Sequence, residues 1–506
     1  MSNFSGSRSV SPAMAPSEVE LKFRLDEEQR RAIEVRLGAA GEPRRLESIY
    51  FDGSGLPMRR AGYSVRVRSD EGRRTMTVKT LAFAAQRGEW TRPQQDETPD
   101  RAFLFSTPAG VALDGEALLP QFQTETLRSD LLLQEGETVV QASFDEGRTF
   151  AGALASPFAE LELELKSGGV ETLFDLASRL RTAFSLRPIF QSKAERGFAL
   201  LDGGGPARRF ERPQLDGAAS AGEGFRLIAR AALRQIAADA DALSRLGASE
   251  APIEAIHQLR VGVRRMRSAM KAFTEISADA ESEPIDGELK WLQGELDEVR
   301  ALDVAMAGPL ARAERTGRSR RRLATLRREL SDRRGVAAER ACAAASSQRT
   351  SKLLFEAFRW IEIGPWTRVA GPKAALRDGL LVPCAASALG EAHRRVELRA
   401  RRFAELGRKG RHKLRIRVKR FRYLADVVDQ AFEAHPRRSR KQLAATRALT
   451  DVLGALNDIA SGEVLFTGAP KWLRRGQARR EERLLRRAAD RIADWQRCDA
   501  FWPNGT

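Results

Sequence analysis

Only three cysteines occur in the 506 residues, Cys342, Cys384 and Cys498, far apart and with no CxxC pair. That excludes a disulfide framework and a cysteine zinc site, and a reducing cytosol is the expected compartment. No run approaches the roughly 20 apolar residues of a membrane span, and residues 1–17, rich in Ser, Pro and Ala, lack the apolar core of a secretion signal. The expectation is a cytoplasmic protein that engages no membrane. Aromatics make up 7% of the chain and are not interleaved with its basic stripes, which argues against a base-stacking platform for nucleic acid. Acid is also in short supply, with 68 Asp and Glu against 86 Lys and Arg. At roughly 100–200 residues per domain the length predicts two to four domains.

The excess of positive charge is unevenly placed. Residues 1–200 hold 26 basic and 29 acidic side chains, a net −3, which leaves 60 and 39, a net +21, for residues 201–506. A field of that size attracts polyanions without choosing among them. Composition divides the chain at the same place. The run Asp202-Gly203-Gly204-Gly205-Pro206 opens a Gly- and Ala-rich stretch that reads as a linker.

Before the linker the hydrophobic period is two. Glu18, Glu20, Lys22 and Arg24 alternate with Val19, Leu21, Phe23 and Leu25, which predicts a strand. Ser64, Arg66 and Arg68 oppose Val65 and Val67; Thr75, Thr77 and Lys79 oppose Met76 and Val78; Glu160, Glu162 and Glu164 oppose Leu161, Leu163 and Leu165. Helices are expected at residues 26–37 and 170–183. A single wet sheet face explains any one of these strands. Taken together the polar faces carry charge largely sorted by sign, and inside a barrel such charges would be costly without a ligand. A metal ion bound to a phosphate chain satisfies both signs: carboxylates suit Mg2+ or Mn2+, while Arg and Lys grip phosphate oxygens.

Glu18-Val-Glu20-Leu-Lys22 resembles the ExExK opening of CYTH domains, the triphosphate tunnel metalloenzymes. Tyr50-Phe51-Asp52, Val65-Arg66-Val67-Arg68, Thr77-Val78-Lys79, Arg87-Gly88-Glu89, Phe144-Asp145-Glu146-Gly147, the Glu160–Glu164 run and Ser192-Lys193-Ala194-Glu195-Arg196-Gly197 follow in the family's order. The resemblance implies an eight-stranded antiparallel tunnel that hydrolyses a triphosphate with Mg2+ or Mn2+. It implies metal ligands at Glu18, Glu20, Glu162 and Glu164, with Asp145 as a further candidate, and phosphate binding by Lys22, Arg66, Arg68, Lys79, Arg87 and Lys193. Glu18, Glu20 and Lys22 form the expected catalytic set. Gln141 departs from the family, which usually has an acid there.

After the linker the period becomes helical and a motif repeats 155 residues apart: His257-Gln-Leu-Arg-Val-Gly-Val-Arg-Arg-Met-Arg267 and His412-Lys-Leu-Arg-Ile-Arg-Val-Lys-Arg-Phe-Arg422. At about 100° per residue, His257, Arg260, Arg264 and Arg267 form one arc, as do His412, Arg415, Lys419 and Arg422. Leu259, Val263 and Met266, and likewise Leu414, Val418 and Phe421, lie apart from them. Neither motif contains an acid, so like-charge repulsion is tolerated and an anion would relieve it. Arg265 and Arg420 fall beside the arc and read as surface residues. The repeat is similar to CHAD domains, helical domains of two similar bundles that often follow CYTH and bind inorganic polyphosphate. Leu292–Val304 and Leu453-Gly454-Ala455-Leu456-Asn457-Asp458 support the resemblance; Ala301 stands where an acid is usual, leaving Asp303 alone.

The expected organisation is an α+β two-domain chain: a disordered tail at 1–16, a CYTH tunnel with helices at 17–202, a linker at 203–221 and an all-α CHAD domain of two similar bundles at 222–506. The favoured reading is a tripolyphosphatase whose helical domain binds polyphosphate, concentrating substrate or anchoring the enzyme on granules. Adenylate cyclase and nucleotide or thiamine triphosphatase share the same triphosphate grip and stay open. A nonspecific nucleic-acid binder using the basic run Arg318–Arg322 with Arg327, Arg328, Arg333 and Arg334 ranks last, because a solvated helix face accounts for that run. Oligomeric state is not encoded in any motif.

Overall fold

A computed structural model of the chain describes residues 17–203, 212–246, 253–315, 317, 319–432, 434–465 and 471–503. The expected disordered tail and residues 204–211 of the expected linker lie outside these. The chain forms two compact units that divide in sequence between residues 205 and 206.

The first unit is a closed antiparallel barrel of eight strands: β1 (Ser17–Arg24), β2 (Arg44–Asp52), β3 (Tyr63–Asp70), β4 (Arg73–Thr80), β5 (Gln86–Gln94), β6 (Leu119–Glu135), β7 (Thr138–Ala151) and β8 (Leu154–Ser167). Their order is β5-β4-β3-β2-β6-β7-β8-β1. Closure falls to β1, which divides its length between two neighbours. Ser17–Val19 pair with β5 and Glu20–Arg24 pair with β8. A two-residue strand, Arg187–Pro188, adds to the outer end of β1. Period-two alternation produces this shape because each inward polar residue is followed by one directed to the surrounding apolar layer. Val65, Met76, Val78, Phe144, Leu161 and Leu163 are fully buried there.

The helices Glu27–Leu37 and Val170–Ala183 match the expected segments, and the first starts on an Asp26 capping box with Gln29. A further helix, Lys193–Leu201, begins on a capping box of Ser192 and Glu195 and seats on the barrel through Gly197. A Cβ at Gly197 would come within 2.1 Å of the Phe122 ring, so only glycine allows this approach. Phe122 in turn stacks on Tyr50, with ring centroids 4.5 Å apart. Asp52 is buried and accepts the backbone N–H groups of Gly53, Met58 and Arg59, organising the turn after β2.

The second unit is helical. Ala221–Leu246, the first repeat helix Ile253–Ala272, Ser282–Ala305 and Arg320–Ser346 pack as one group. Leu381–Ala400, the second repeat helix Arg408–Val428, Pro436–Leu465 and Lys471–Gln496 pack as another, and the two repeat helices touch. Both apolar stripes are core: Leu259, Val263, Met266, Leu414, Val418 and Phe421 are fully buried. Arg265 is a correction, since it is half-buried and donates to Gln235 Oε1 at 2.6 Å, whereas Arg420 is exposed. The basic run is partly neutralised: Arg327 pairs with Glu314 and Arg334 with Asp303, while Arg320, Arg321 and Arg322 are exposed. No helix among the described residues is long and apolar enough to cross a membrane.

Candidate functional site

The barrel encloses a cavity of about 250 Å³ walled by Glu18, Glu20 and Lys22 of β1, Arg66 and Arg68 of β3, Lys79 of β4, Arg87 of β5, Glu162 and Glu164 of β8, and Lys193 at the start of its helix. Every phosphate-binding residue expected from the sequence lines it, as do four of the five expected metal ligands. Register explains the convergence: Lys22 opposes Glu162 and Glu20 opposes Glu164 across β1 and β8, and Lys79 opposes Glu89 across β4 and β5.

Acids and bases are matched on one side of the cavity. Lys22 Nζ lies 3.1 Å from Glu20 and 2.8 Å from Glu162; Lys79 Nζ lies 2.6 Å from Glu18 and 3.0 Å from Glu89; Arg87 also pairs with Glu20. Burial would raise the Glu18 carboxyl, but Lys79 and Arg87 hold it down to about 2. Burial likewise opposes ionisation of Glu162, yet Lys193, Lys22 and Arg128 keep it well below the ordinary carboxylate range.

The other side is not matched. Among the described residues neither Arg66 nor Arg68 has a carboxylate partner in ion-pair range, and Arg66 Nε is buried without a hydrogen bond. Arg68 donates to Ser48 Oγ at 3.2 Å. Its burial and the like charges of Arg66 and Arg128 hold its guanidinium down to about 9. Tyr50, Glu89 and Glu18 offset the Arg66 charge at longer range, whereas the Arg68 charge is disfavoured as placed and would gain from an anion.

Asp145 is placed elsewhere. It is 2% exposed beneath the wall, ion-paired to Arg128 and lying 2.7 Å from Lys193 Nζ. Glu160, on the same face of β8 as Glu162, is fully buried and serves Lys193 at 3.3 Å and Arg196. Gln141 points to Asp130, donating to its Oδ1 at 3.1 Å, a bond an ionised carboxylate could not make. Arg128 is the residue that sequence reading missed. It lines the cavity and joins Asp145 to Glu162. Its signal was the buried polar alternation Thr124, Thr126, Arg128 along β6.

As placed, no three His, Cys, Asp or Glu side chains among the described residues stand close enough together to hold a metal ion. The donor set nevertheless fits a hard divalent cation, because Glu18, Glu20, Glu162 and Glu164 present oxygen alone along one wall.

In the helical unit Arg260, Arg264, Arg415, Lys419 and Arg422 lie within electrostatic reach of one another. The three remaining expected residues have partners of their own or none, and His257 still lies in electrostatic reach of Arg260 and Arg264. Arg267 pairs with Asp286 at 2.7 Å, His412 Nδ1 lies 2.7 Å from Asn457 Oδ1, and His257 faces Arg300 with Nδ1 buried and unpartnered.

Comparison with known proteins follows the same division. Residues 16–198 match the CYTH domain family model and residues 227–466 the CHAD domain model. The chain is 30% identical over 160 residues to an inorganic triphosphatase of Haemophilus influenzae, a match covering 31% of this chain and 46% of that protein. The chain thus spans about half the length of that relative. Among solved structures, the CHAD domain from the plant Ricinus communis is 25% identical, covering 58% of this chain and 93% of its own, with a TM-score of 0.43. HpAC1 from Hippeastrum, described as a putative adenylyl cyclase with a dominant triphosphatase activity, is 16% identical, covering 37% and 96%, with a TM-score of 0.27.

Proposed function

Because this chain carries a CYTH domain followed by a CHAD domain, we propose that it is a metal-dependent inorganic triphosphatase whose helical unit binds inorganic polyphosphate. The first unit would convert tripolyphosphate to pyrophosphate and phosphate. The observation that carries this reading is the pair Arg66 and Arg68, half-buried and without an ion-pair partner among the described residues, in a cavity that also presents four carboxylates. A multiply charged phosphate chain supplies the missing anion, and Lys22, Lys79, Arg87, Arg128 and Lys193 add donors for its oxygens.

Glu18, Glu20, Glu162 and Glu164 would hold Mg2+ or Mn2+. When bound, such an ion neutralises phosphate charge and polarises a phosphoryl oxygen. The side chains do the rest. Cations on two walls fix the chain in line, water attacks the terminal phosphorus, the bond to the bridging oxygen breaks, and pyrophosphate leaves with its charge stabilised by the arginines and lysines. Several carboxylates flank the cavity and can orient that water, so no single general base is assigned.

The wall also bears on substrate choice. Apart from Leu81, Ala194 and the ring of Tyr50, its lining is polar, and Tyr50 is engaged by Arg66 and stacked on Phe122. Among the described residues, the lining of this cavity therefore offers a purine or thiazolium no apolar slot or free stacking surface. A chain with no organic part fits best. The test is phosphate release from tripolyphosphate, ATP, thiamine triphosphate and long-chain polyphosphate, each with Mg2+, with Mn2+ and with excess chelator. Tripolyphosphate turnover that needs metal is expected; turnover confined to ATP or thiamine triphosphate, or full activity in chelator, overturns the reading.

A further inference from the structure

The cationic stripes of the two repeat helices meet where those helices pack together. Arg260 and Arg264 come from the first, and Arg415, Lys419 and Arg422 from the second. Counter-charge is distributed unevenly among them. Arg260 is paired with Asp297, and Arg422 Nε lies 3.8 Å from Asp426. Arg264, Arg415 and Lys419 have no ion-pair partner among the described residues, and Arg415 Nε is buried with no hydrogen bond.

Within this group one side chain can shed its charge. A guanidinium stays protonated, whereas a lysine ammonium in the same surroundings can release its proton. Lys419 is half-buried and is faced by Arg415 and Arg422 of its own helix and by Arg264 and Arg260 of the other, with Asp458 of Pro436–Leu465 as an acid in reach. Burial and those four arginines hold its ammonium down to about 7. A phosphate chain laid in the seam reverses the sign of the field that does this.

We propose that the seam between the repeats binds its polyanion together with a proton, which resides on Lys419 Nζ in the complex. The inference rests on the reading of this unit as a polyphosphate binder and adds how that binding is regulated. Free protein at neutral pH carries Lys419 partly as the neutral amine; bound protein carries it as the ammonium, and no covalent bond changes. Affinity then falls as pH rises past 7, by at most about tenfold per pH unit for one linked proton.

The experiment is calorimetric titration of the full chain with inorganic polyphosphate of defined length. It is run in chelator at pH 7, in non-phosphate buffers of different ionisation enthalpy. The heat should vary with the buffer and report uptake by Lys419 of about half a proton, falling toward zero near pH 5.5 and approaching one near pH 8. Lys419→Arg should bind while losing that share of the uptake, and Lys419→Gln should lose it and bind with the weaker affinity the parent shows at high pH. Protons exchanged at the barrel are common to all three chains and cancel in the differences. Equal uptake by the parent and both variants, or none in the parent, overturns the inference and leaves polyphosphate binding standing. Absence of binding by the parent overturns both.

Discussion

Lys22 Nζ lies 2.8 Å from Oε1 of Glu162, its register partner across β1 and β8, and the same carboxylate also receives Lys193 and Arg128. One buried anion is thus shared by three cations drawn from three separate parts of the chain. It fixes the position of groups on opposite walls, and its loss should be felt in both turnover and stability.

Glu162→Gln should lower phosphate release from tripolyphosphate by at least about 100-fold. It should also destabilise the barrel by about 3–5 kcal/mol, because it leaves buried cations uncompensated. The sign with pH follows from the depressed carboxyl: its stabilising contribution is present above pH about 4.5 and is lost as pH falls toward the folded value. Acid unfolding of the parent, followed by circular dichroism, should therefore be steeper than that of the variant.

Arg68→Gln should separate stability from activity. Burial and two neighbouring guanidinium groups disfavour the Arg68 charge in the free protein, so the substitution should leave the melting temperature unchanged or raise it. It should lower kcat/KM for tripolyphosphate by about 10- to 100-fold, since a phosphate grip is gone. Thermal melts and steady-state kinetics on the same preparation decide it; a variant that is less stable and fully active contradicts the reading.

Arg264→Gln with Arg415→Gln removes two unpaired cations from the helical seam without breaking an ion pair. Retention on a polyphosphate column should weaken, and the dependence of log affinity on log salt should become shallower by about two. Exchanging Arg320 and Arg321 for Gln, on the exposed basic run, should have a much smaller effect. Equal losses from both double variants would point to diffuse charge attraction.

Asp239 supplies the clearest pH dependence of folding. It is fully buried, neither carboxylate oxygen has a hydrogen-bond partner, and burial pushes its pKa up to about 8. A raised folded value means the folded form retains the proton. Stability from this group is complete below pH about 4 and declines until pH about 8. Asp239→Asn should remove that decline and be more stable than the parent at pH 8 by on the order of a few kcal/mol, as measured by urea unfolding at pH 4, 6 and 8.

Strands were readable because inward charge and outward aliphatic side chains alternate without interruption in β1, β3, β4 and β8. The eight-strand count and the cavity residues came with the resemblance those strands carry. Depth was not readable, since a period of two assigns a face and says nothing about distance from the opening. Glu160 and Glu162 share a face of β8, yet Glu160 does not line the cavity and is fully buried against Lys193 and Arg196. Asp145 was hidden for the same reason. Arg128 escaped notice because Thr124 and Thr126 beside it look like an ordinary wet strand, and only burial distinguishes them. In the helical unit the stripes were visible, but the acids that claim Arg260 and Arg267 come from the helix Ser282–Ala305, outside the repeat.

Among the described residues only three pairs join β1 to β5, and the middle pair is Glu18 with Arg87. The backbone pairing that closes the cylinder therefore runs through two residues whose side chains line its cavity. A molecule unzipped along that line would displace an acid and a base of the cavity wall at the same moment.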